Sequence, residues 1–111
     1  METINFEDFA KLEIKIGKII SAEKVEGSDK LLKLMVDFGG ELSSPRQIIA
    51  GIGKIYAPEA LVGKECPFAY NLAPRVLKGL ESQGMILCPS IDGAPCLLHP
   101  DKEVPPGNAV K

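Results

Sequence analysis

The apolar residues of this chain recur at every second position in several short runs. Leu12, Ile14 and Ile16 alternate with Glu13 and Lys15, Leu32, Leu34, Val36 and Phe38 alternate over 30–38, and Cys66, Phe68 and Tyr70 do so over 64–71. A period of two sends successive side chains to opposite faces of an extended chain, so each run describes a strand with one buried face. Gly17 interrupts the first run before Ile19-Ile20 resume it, which makes it a candidate bulge. Glu26-Gly27-Ser28-Asp29 reads as a turn, Gly39-Gly40 and Ser43-Ser44-Pro45 bracket a loop, and 46–53 is a third strand running into glycines. A loop holding Pro74 and Gly79 leads to a fifth strand over 84–88. Asp92-Gly93, set between apolar runs, predicts a hairpin joining 85–91 to 94–99.

Helix signals are few. Asn5 precedes Glu7 and Asp8, with Lys11 a turn later, so 4–11 reads as a short capped helix carrying Phe6, Phe9 and Ala10 on one face. Pro58 and Gly63 frame one or two helical turns within 56–63, ahead of the fourth strand over 64–71. Val104-Pro105-Pro106-Gly107 reads as a turn or polyproline segment. Five short strands with a helical piece before the fourth predict an all-β fold. The expected form is a five-stranded, partly open OB-fold barrel with a short N-terminal helix and a C-terminal hairpin and extension; a β-sandwich is the alternative. The 111 residues suit one domain, 1–111.

Composition narrows the function. Hydrophobic residues make up 45% and charged residues 25%, a globular balance rather than a disordered one. No apolar run approaches the roughly 18 residues of a membrane span, and Met1-Glu2-Thr3 does not open a signal peptide, so a soluble cytoplasmic protein is expected. Three cysteines, Cys66, Cys88 and Cys96, form no even disulfide framework and are expected as reduced thiols. The net charge is −2, yet within 46–78 five cations (Arg46, Lys54, Lys64, Arg75 and Lys78) face only Glu59 and Glu65. A local patch matters more to a polyanion than net charge, because attraction is screened beyond about 8–10 Å.

Arg46, Gln47, Lys54, Asn71, Arg75, Lys78, Ser82 and Gln83 mix cationic, amide and hydroxyl groups near predicted strand ends and loops. These types hold phosphate and sugar oxygens, and as a group in the basic third of the chain they favour a binding surface over a merely solvated one. With no Trp, four Phe and two Tyr, and Phe38, Phe68 and Tyr70 assigned to the core, few rings remain to stack single-stranded bases. Recognition of the shape and backbone of folded RNA fits better. Tyr56 is the most available ring, with a lid over the barrel end as its structural reading.

Other chemistries find little support. Cys96-x-x-His99 with Cys66 and Cys88 could supply a Cys₃His zinc set, but Cys66 and Cys88 fall at apolar strand positions and no Cys-x-x-Cys knuckle exists, so no metal is expected. His99 is the only histidine available to a Cys/His nucleophile. Gly51-Ile52-Gly53-Lys54 lacks the pattern of a phosphate loop, and no catalytic residue or cofactor is expected.

Several consecutive blocks, in order over nearly the whole chain, resemble the tRNA-binding domain family. They are residues 6–19, Ser28-Asp29-Lys30-Leu31-Leu32, Arg46-Gln47-Ile48-Ile49-Ala50-Gly51-Ile52, residues 58–64, Asn71-Leu72-Ala73-Pro74-Arg75 and Gly79-Leu80-Glu81-Ser82-Gln83-Gly84-Met85. That family includes the C-terminal domain or separate β-subunit of methionyl-tRNA synthetase, free-standing structure-specific tRNA-binding proteins and a cytokine domain. The resemblance implies an OB-fold that grips the outer corner of folded tRNA and catalyses nothing. It also implies a homodimer formed through 6–12 and roughly 91–110. Length, with Met1 close to the first block, favours a free-standing protein over a synthetase appendage, although an excised domain would begin alike.

By the same resemblance Lys30, Arg46, Asn71, Arg75, Ser82, Gln83 and Met85 match the family's binding positions. Arg46 and Arg75 are expected on phosphates, Asn71, Ser82 and Gln83 on sugar or backbone oxygens, and Met85 either on an apolar contact or in the core. Val76 stands where many members carry a basic residue, with Lys78 the candidate replacement. A protein-interaction or cytokine-like module of a synthetase complex is the alternative function.

Overall fold

A computed structural model describes residues 1–40 and 44–111. Part of the loop expected between Gly39 and Pro45 lies outside the described residues. The chain runs α1 (Phe6–Ala10), β1 (Ile14–Lys24), β2 (Leu32–Asp37), β3 (Arg46–Ala50), a 3₁₀ turn (Pro58–Ala60), β4 (Glu65–Ala69), β5 (Arg75–Leu77), β6 (Leu80–Ser82), β7 (Met85–Ile86), β8 (Ser90–Ile91), β9 (Ala94–Pro95) and β10 (Ala109–Val110). The main sheet is antiparallel in the order β3-β2-β1-β4-β7, with β10 also on β1. Its two ends approach one another, giving the nearly closed OB-like barrel that the five predicted strands imply.

The long strand β1 makes this possible. Its first half, Ile14 to Lys18, pairs with β4, while its second half, Lys18 to Lys24, pairs with β2. The register on β2 shifts between Ile19 and Ser21, so the bulge falls at Ile20 and not at Gly17. Gly17 has another reason to be glycine: a Cβ there would stand 2.7 Å from Phe38 Cε1 and press on Val36. The expectation of a bulge at Gly17 is thus corrected to a close packing contact. Alternation does what the sequence predicts elsewhere, since Leu32, Leu34, Val36, Ile48, Cys66 and Phe68 are fully buried together.

The connections close the barrel's ends. Pro58 opens the 3₁₀ turn, which delivers Leu61 fully buried into the core. Tyr56 packs against that core and its hydroxyl accepts the Leu97 N–H at 3.1 Å, fixing the C-terminal segment over the barrel as the lid reading requires. Asn5 caps α1 by accepting the Asp8 N–H at 2.9 Å. Asp92 (φ 50°) and Gly93 (φ 82°) form the predicted hairpin turn, although only Ser90–Ile91 and Ala94–Pro95 pair across it.

Two features differ from the sequence reading. Residues 75–82, expected as loop, form the β5–β6 hairpin, turned at Lys78 (φ 50°) and Gly79 (φ 78°). Two successive left-handed residues make a type I′ turn, and Lys-Gly lacks the Asn or Asp that would have signalled it. The Pro-Pro-Gly segment is also more than a turn. It returns the chain to β1, where Gly107 N donates to Ile16 O at 2.7 Å and Ile16 N to Asn108 O at 2.9 Å, ahead of β10.

Gly107 sits at φ 94° with its α-carbon against the Phe38 carbonyl, so no side chain fits. Gly107→Ala should therefore cost at least the ~1–2 kcal/mol of a left-handed alanine. Gly51→Ala, whose added carbon would meet nothing within 4 Å, should be near neutral. Urea titrations of the two variants check this; equal midpoints would mean that the C-terminal return is not clamped against β2.

Candidate nucleic-acid interface

The seam of the barrel is built from residues that the sequence marks for binding. Strand β3 has β2 on one side, and its other edge is met by 81–83. Gln83 N donates to Gln47 O at 2.8 Å, Gln47 N to Gln83 Oε1 at 3.0 Å, and Gln47 Nε2 to Glu81 O at 2.8 Å. Ser82, only 4% exposed, accepts the Ile49 N–H at 3.0 Å and donates to Gly84 O at 2.9 Å. Both of its hydroxyl functions serve the seam, where an unmet buried N–H would cost about 1–3 kcal/mol.

Arg46 begins β3 and is anchored beside that seam. Its guanidinium lies 3.6 Å from the Tyr70 ring centroid, and Nη1 donates to the carbonyl of Tyr70 at 2.7 Å and of Gln83 at 3.4 Å. Lys15 Nζ stands 4.0 Å from the same ring, and Phe38 meets it edge-on at 5.0 Å. Tyr70 is consequently half-buried and already engaged, while Arg46 is held in one place by a stack worth about 0.5–2 kcal/mol.

Asn71 follows directly. Its Oδ1 accepts the Glu13 N–H and its Nδ2 donates to the Lys11 carbonyl, both at 2.7 Å. This exposed amide therefore ties the exit of α1 to the loop before β5. Arg46, Asn71 and Gln83 line one cleft of about 350 Å³, together with Leu72 and Ala73.

A larger groove of about 660 Å³ shares Leu72 and Ala73 with it. Lys30, Arg75 and Lys78 line this groove along with Met85, and no acidic residue does. None of these three cations, nor Arg46, forms an ion pair among the described residues. The predicted residues are thus brought onto adjoining clefts, with two exceptions among the basic segment. Lys54 pairs with Asp29 at 3.7 Å and lines a different cleft with Glu23 and Glu59, and Lys64 lies on a third, beside Glu65 and His99. Met85 is exposed at the groove rather than in the core.

Cys66 and His99 do come together, at 3.7 Å, but His99 Nδ1 also stands 2.7 Å from the Glu65 carbonyl oxygen, the geometry of an N–H donated to that oxygen. Burial pushes the Cys66 thiol up to about 11, and Lys64 only partly offsets this. Raising a thiol's pKa is the reverse of activating it as a nucleophile. Among the described residues no group of three or more His, Cys, Asp or Glu could hold a metal ion. No helix among them is long and apolar enough to cross a membrane.

An antiparallel barrel with an acid-free, cation-lined groove on its wall belongs to the class of OB-like proteins suited to a polyanion. The chain belongs to the tRNA-binding domain family: the profile described as "Putative tRNA binding domain" matches residues 14–109. A methionine–tRNA ligase of Caldanaerobacter subterraneus subsp. tengcongensis is 46% identical over 110 residues, which are 99% of this chain and 17% of that enzyme. One from Porphyromonas gingivalis is 50% identical over 111 residues, 16% of its length. The chain thus spans about one sixth of these curated relatives. Among solved structures, a MetRS-related protein from Pyrococcus horikoshii is 40% identical with a TM-score of 0.92, all of each chain being covered. The chaperone CsaA from Bacillus anthracis is 33% identical with a TM-score of 0.87, over 99% of this chain and 100% of that one.

The Cys66 shift has a pH consequence. A thiol whose pKa rises from 9.0 to about 11 on folding adds stability that is complete below pH 9 and lost as pH climbs through 11. Chemical denaturation between pH 8 and 11 should show a steeper decline in the wild type than in Cys66→Ala. Parallel declines would place Cys66 outside the core.

Proposed function

We propose that the chain binds folded tRNA at its outer corner, in the cytoplasm and without catalysis of its own, either as a free-standing protein or as the tRNA-binding part of a methionine–tRNA ligase. The observation that carries this reading is the meeting of Lys30, Arg75 and Lys78 along one acid-free groove, next to the anchored Arg46, in a chain of net charge −2. Family membership and relatives named for methionine–tRNA ligation support tRNA as the polyanion. Lys30, Arg75 and Lys78 take phosphates on the groove, and Arg46 takes one beside it. Gln83, whose amide NH₂ has no partner among the described residues, serves a sugar or backbone oxygen, and Met85 makes an apolar contact. Asn71 and Ser82 act by holding the loop and the seam, while Lys54 stands at the margin.

Arg46 is a poor probe, because Arg46→Ala would also free two carbonyls and a ring face. Lys78 is a good one. It occupies a left-handed position that asparagine adopts more easily, so Lys78→Asn should keep or raise stability while removing one charge. Its tRNA affinity should fall, and the slope of log K against log salt should flatten by about 0.7–0.9. Salt titration of both proteins with folded and heat-unfolded tRNA tests this. An unchanged slope removes Lys78 from the interface, and salt-insensitive retention of tRNA sinks the reading.

The same proposal includes a homodimer through 6–12 and 91–110. No residue of α1 is buried, Phe6 is 75% exposed and Phe9 40%, and Ile91, Leu98 and Val110 are exposed as well. The two segments adjoin, since Val110 pairs with Ile14 just beyond the helix. A second copy would cover these apolar groups and offer two grooves to one RNA. Light scattering should give twice the chain mass for the wild type and a single chain mass for the double variant Phe6→Glu, Phe9→Glu; a monomeric wild type removes the dimer.

A further inference from the structure

Beyond cations, the groove contains something that a backbone-binding surface does not need. Its exposed residues include Leu72, Val76 and Met85, with Val76 69% exposed on the outer hairpin. At about 660 Å³ it lies within the ~300–1,000 Å³ range of sites that enclose a small ligand, and its walls are largely apolar. Phosphates gain nothing from such walls, because they remain hydrated and are held by the surrounding cations.

Charge separates this groove from the other large clefts. The one beside His99 mixes Lys18, Lys64 and Lys102 with Glu65, Asp101 and Glu103, and the one beside Tyr56 carries Glu23 and Glu59. The cleft at Arg46 also lacks an acid but holds a single cation, whereas the groove joins largely apolar walls to three cations from two separate segments, Lys30 ahead of β2 and Arg75 with Lys78 on the hairpin. The ligand that matches has apolar faces and more than one anionic group. Within a nucleic acid that is an unpaired nucleobase between its own two phosphates; a paired base keeps its faces stacked inside the helix.

We infer that the groove receives an unpaired nucleobase of the bound RNA, its faces against Val76, Leu72 and Met85 and its flanking phosphates on Lys30 and on Arg75 and Lys78. The inference rests on the tRNA-binding reading and adds that part of the affinity is carried by a base and not by backbone charge. Aliphatic side chains can sandwich an extruded base as rings do. This also fits a chain whose Tyr70 ring is already engaged by Arg46 and Phe38. The engaged polar cleft at Arg46 and the open apolar groove would then divide the recognition between phosphate and base.

The chain has no tryptophan, so Val76→Trp places a single fluorophore at the groove on a solvent-facing strand position. Three probes of equal phosphate number are compared in the wild type and in this variant: a single-stranded RNA heptamer, the same ribose-phosphate chain lacking its bases, and a blunt RNA duplex. The single strand should bind at least tenfold more tightly than the abasic chain and quench the tryptophan, whereas the duplex should leave it unquenched. Intact tRNA, titrated in parallel, keeps the two levels of the argument apart. If tRNA binds with a steep salt dependence while based and abasic chains bind alike and neither quenches, the base pocket is wrong and the backbone reading stands. If tRNA does not bind at all, both fall. Quenching by an uncharged apolar peptide, with none by RNA, would make the groove a peptide site and overturn the inference.

Discussion

The free edge of β3 is the constraint on which the rest depends. The sheet path ends on β3 and β7, and the outer edge of β3 carries backbone groups that must bond to something. The segment 81–83 supplies that partner through the backbone of Gln83 and the side chains of Ser82 and Gln83, and Gln47 answers through its own amide. Closing the barrel in this way fixes the root of the β5–β6 hairpin, and with it Arg75 and Lys78. The seam and the proposed binding surface are therefore one unit.

That coupling explains why residues of similar chemistry divide into two kinds. Arg46, Asn71 and Ser82 are held by several partners each and set the position of the surrounding backbone. Lys30, Arg75 and Lys78 form no ion pair among the described residues. For the proposed surface both kinds are useful, because the anchored groups define a shape while cations without an ion pair are left to meet phosphates. The C-terminal return works in the same direction. By filling the edge of β1 beside β2 it ties the N-terminal helix exit, the barrel and the last residues into one unit.

Much of this was legible beforehand. The alternating runs disclosed the barrel because burying one face of a strand leaves a period-two trace, and Asp92-Gly93 disclosed its hairpin because few residue pairs tolerate two left-handed conformations. Lys78-Gly79 hid its hairpin for the same reason, lysine being an uncommon first residue of such a turn. Gly17 was misread because a glycine forced by a distant ring and a glycine forced by a bulge look alike along the chain. The candidate residues were visible as types and family positions, but not their division into anchors and free cations, which depends on partners 24 to 60 residues away.

The order of residues by itself determined the strands of the barrel wall and which of their faces are buried, that the cations concentrate in one third of an anionic chain, and the family. The tertiary structure alone decided which cations meet. Of the five in 46–78, the barrel sends Lys54 and Lys64 to other clefts and brings Lys30 in from outside the segment. Screened charges act over about 8–10 Å of space and take no account of sequence distance, so an electrostatic site exists only once the strands have closed.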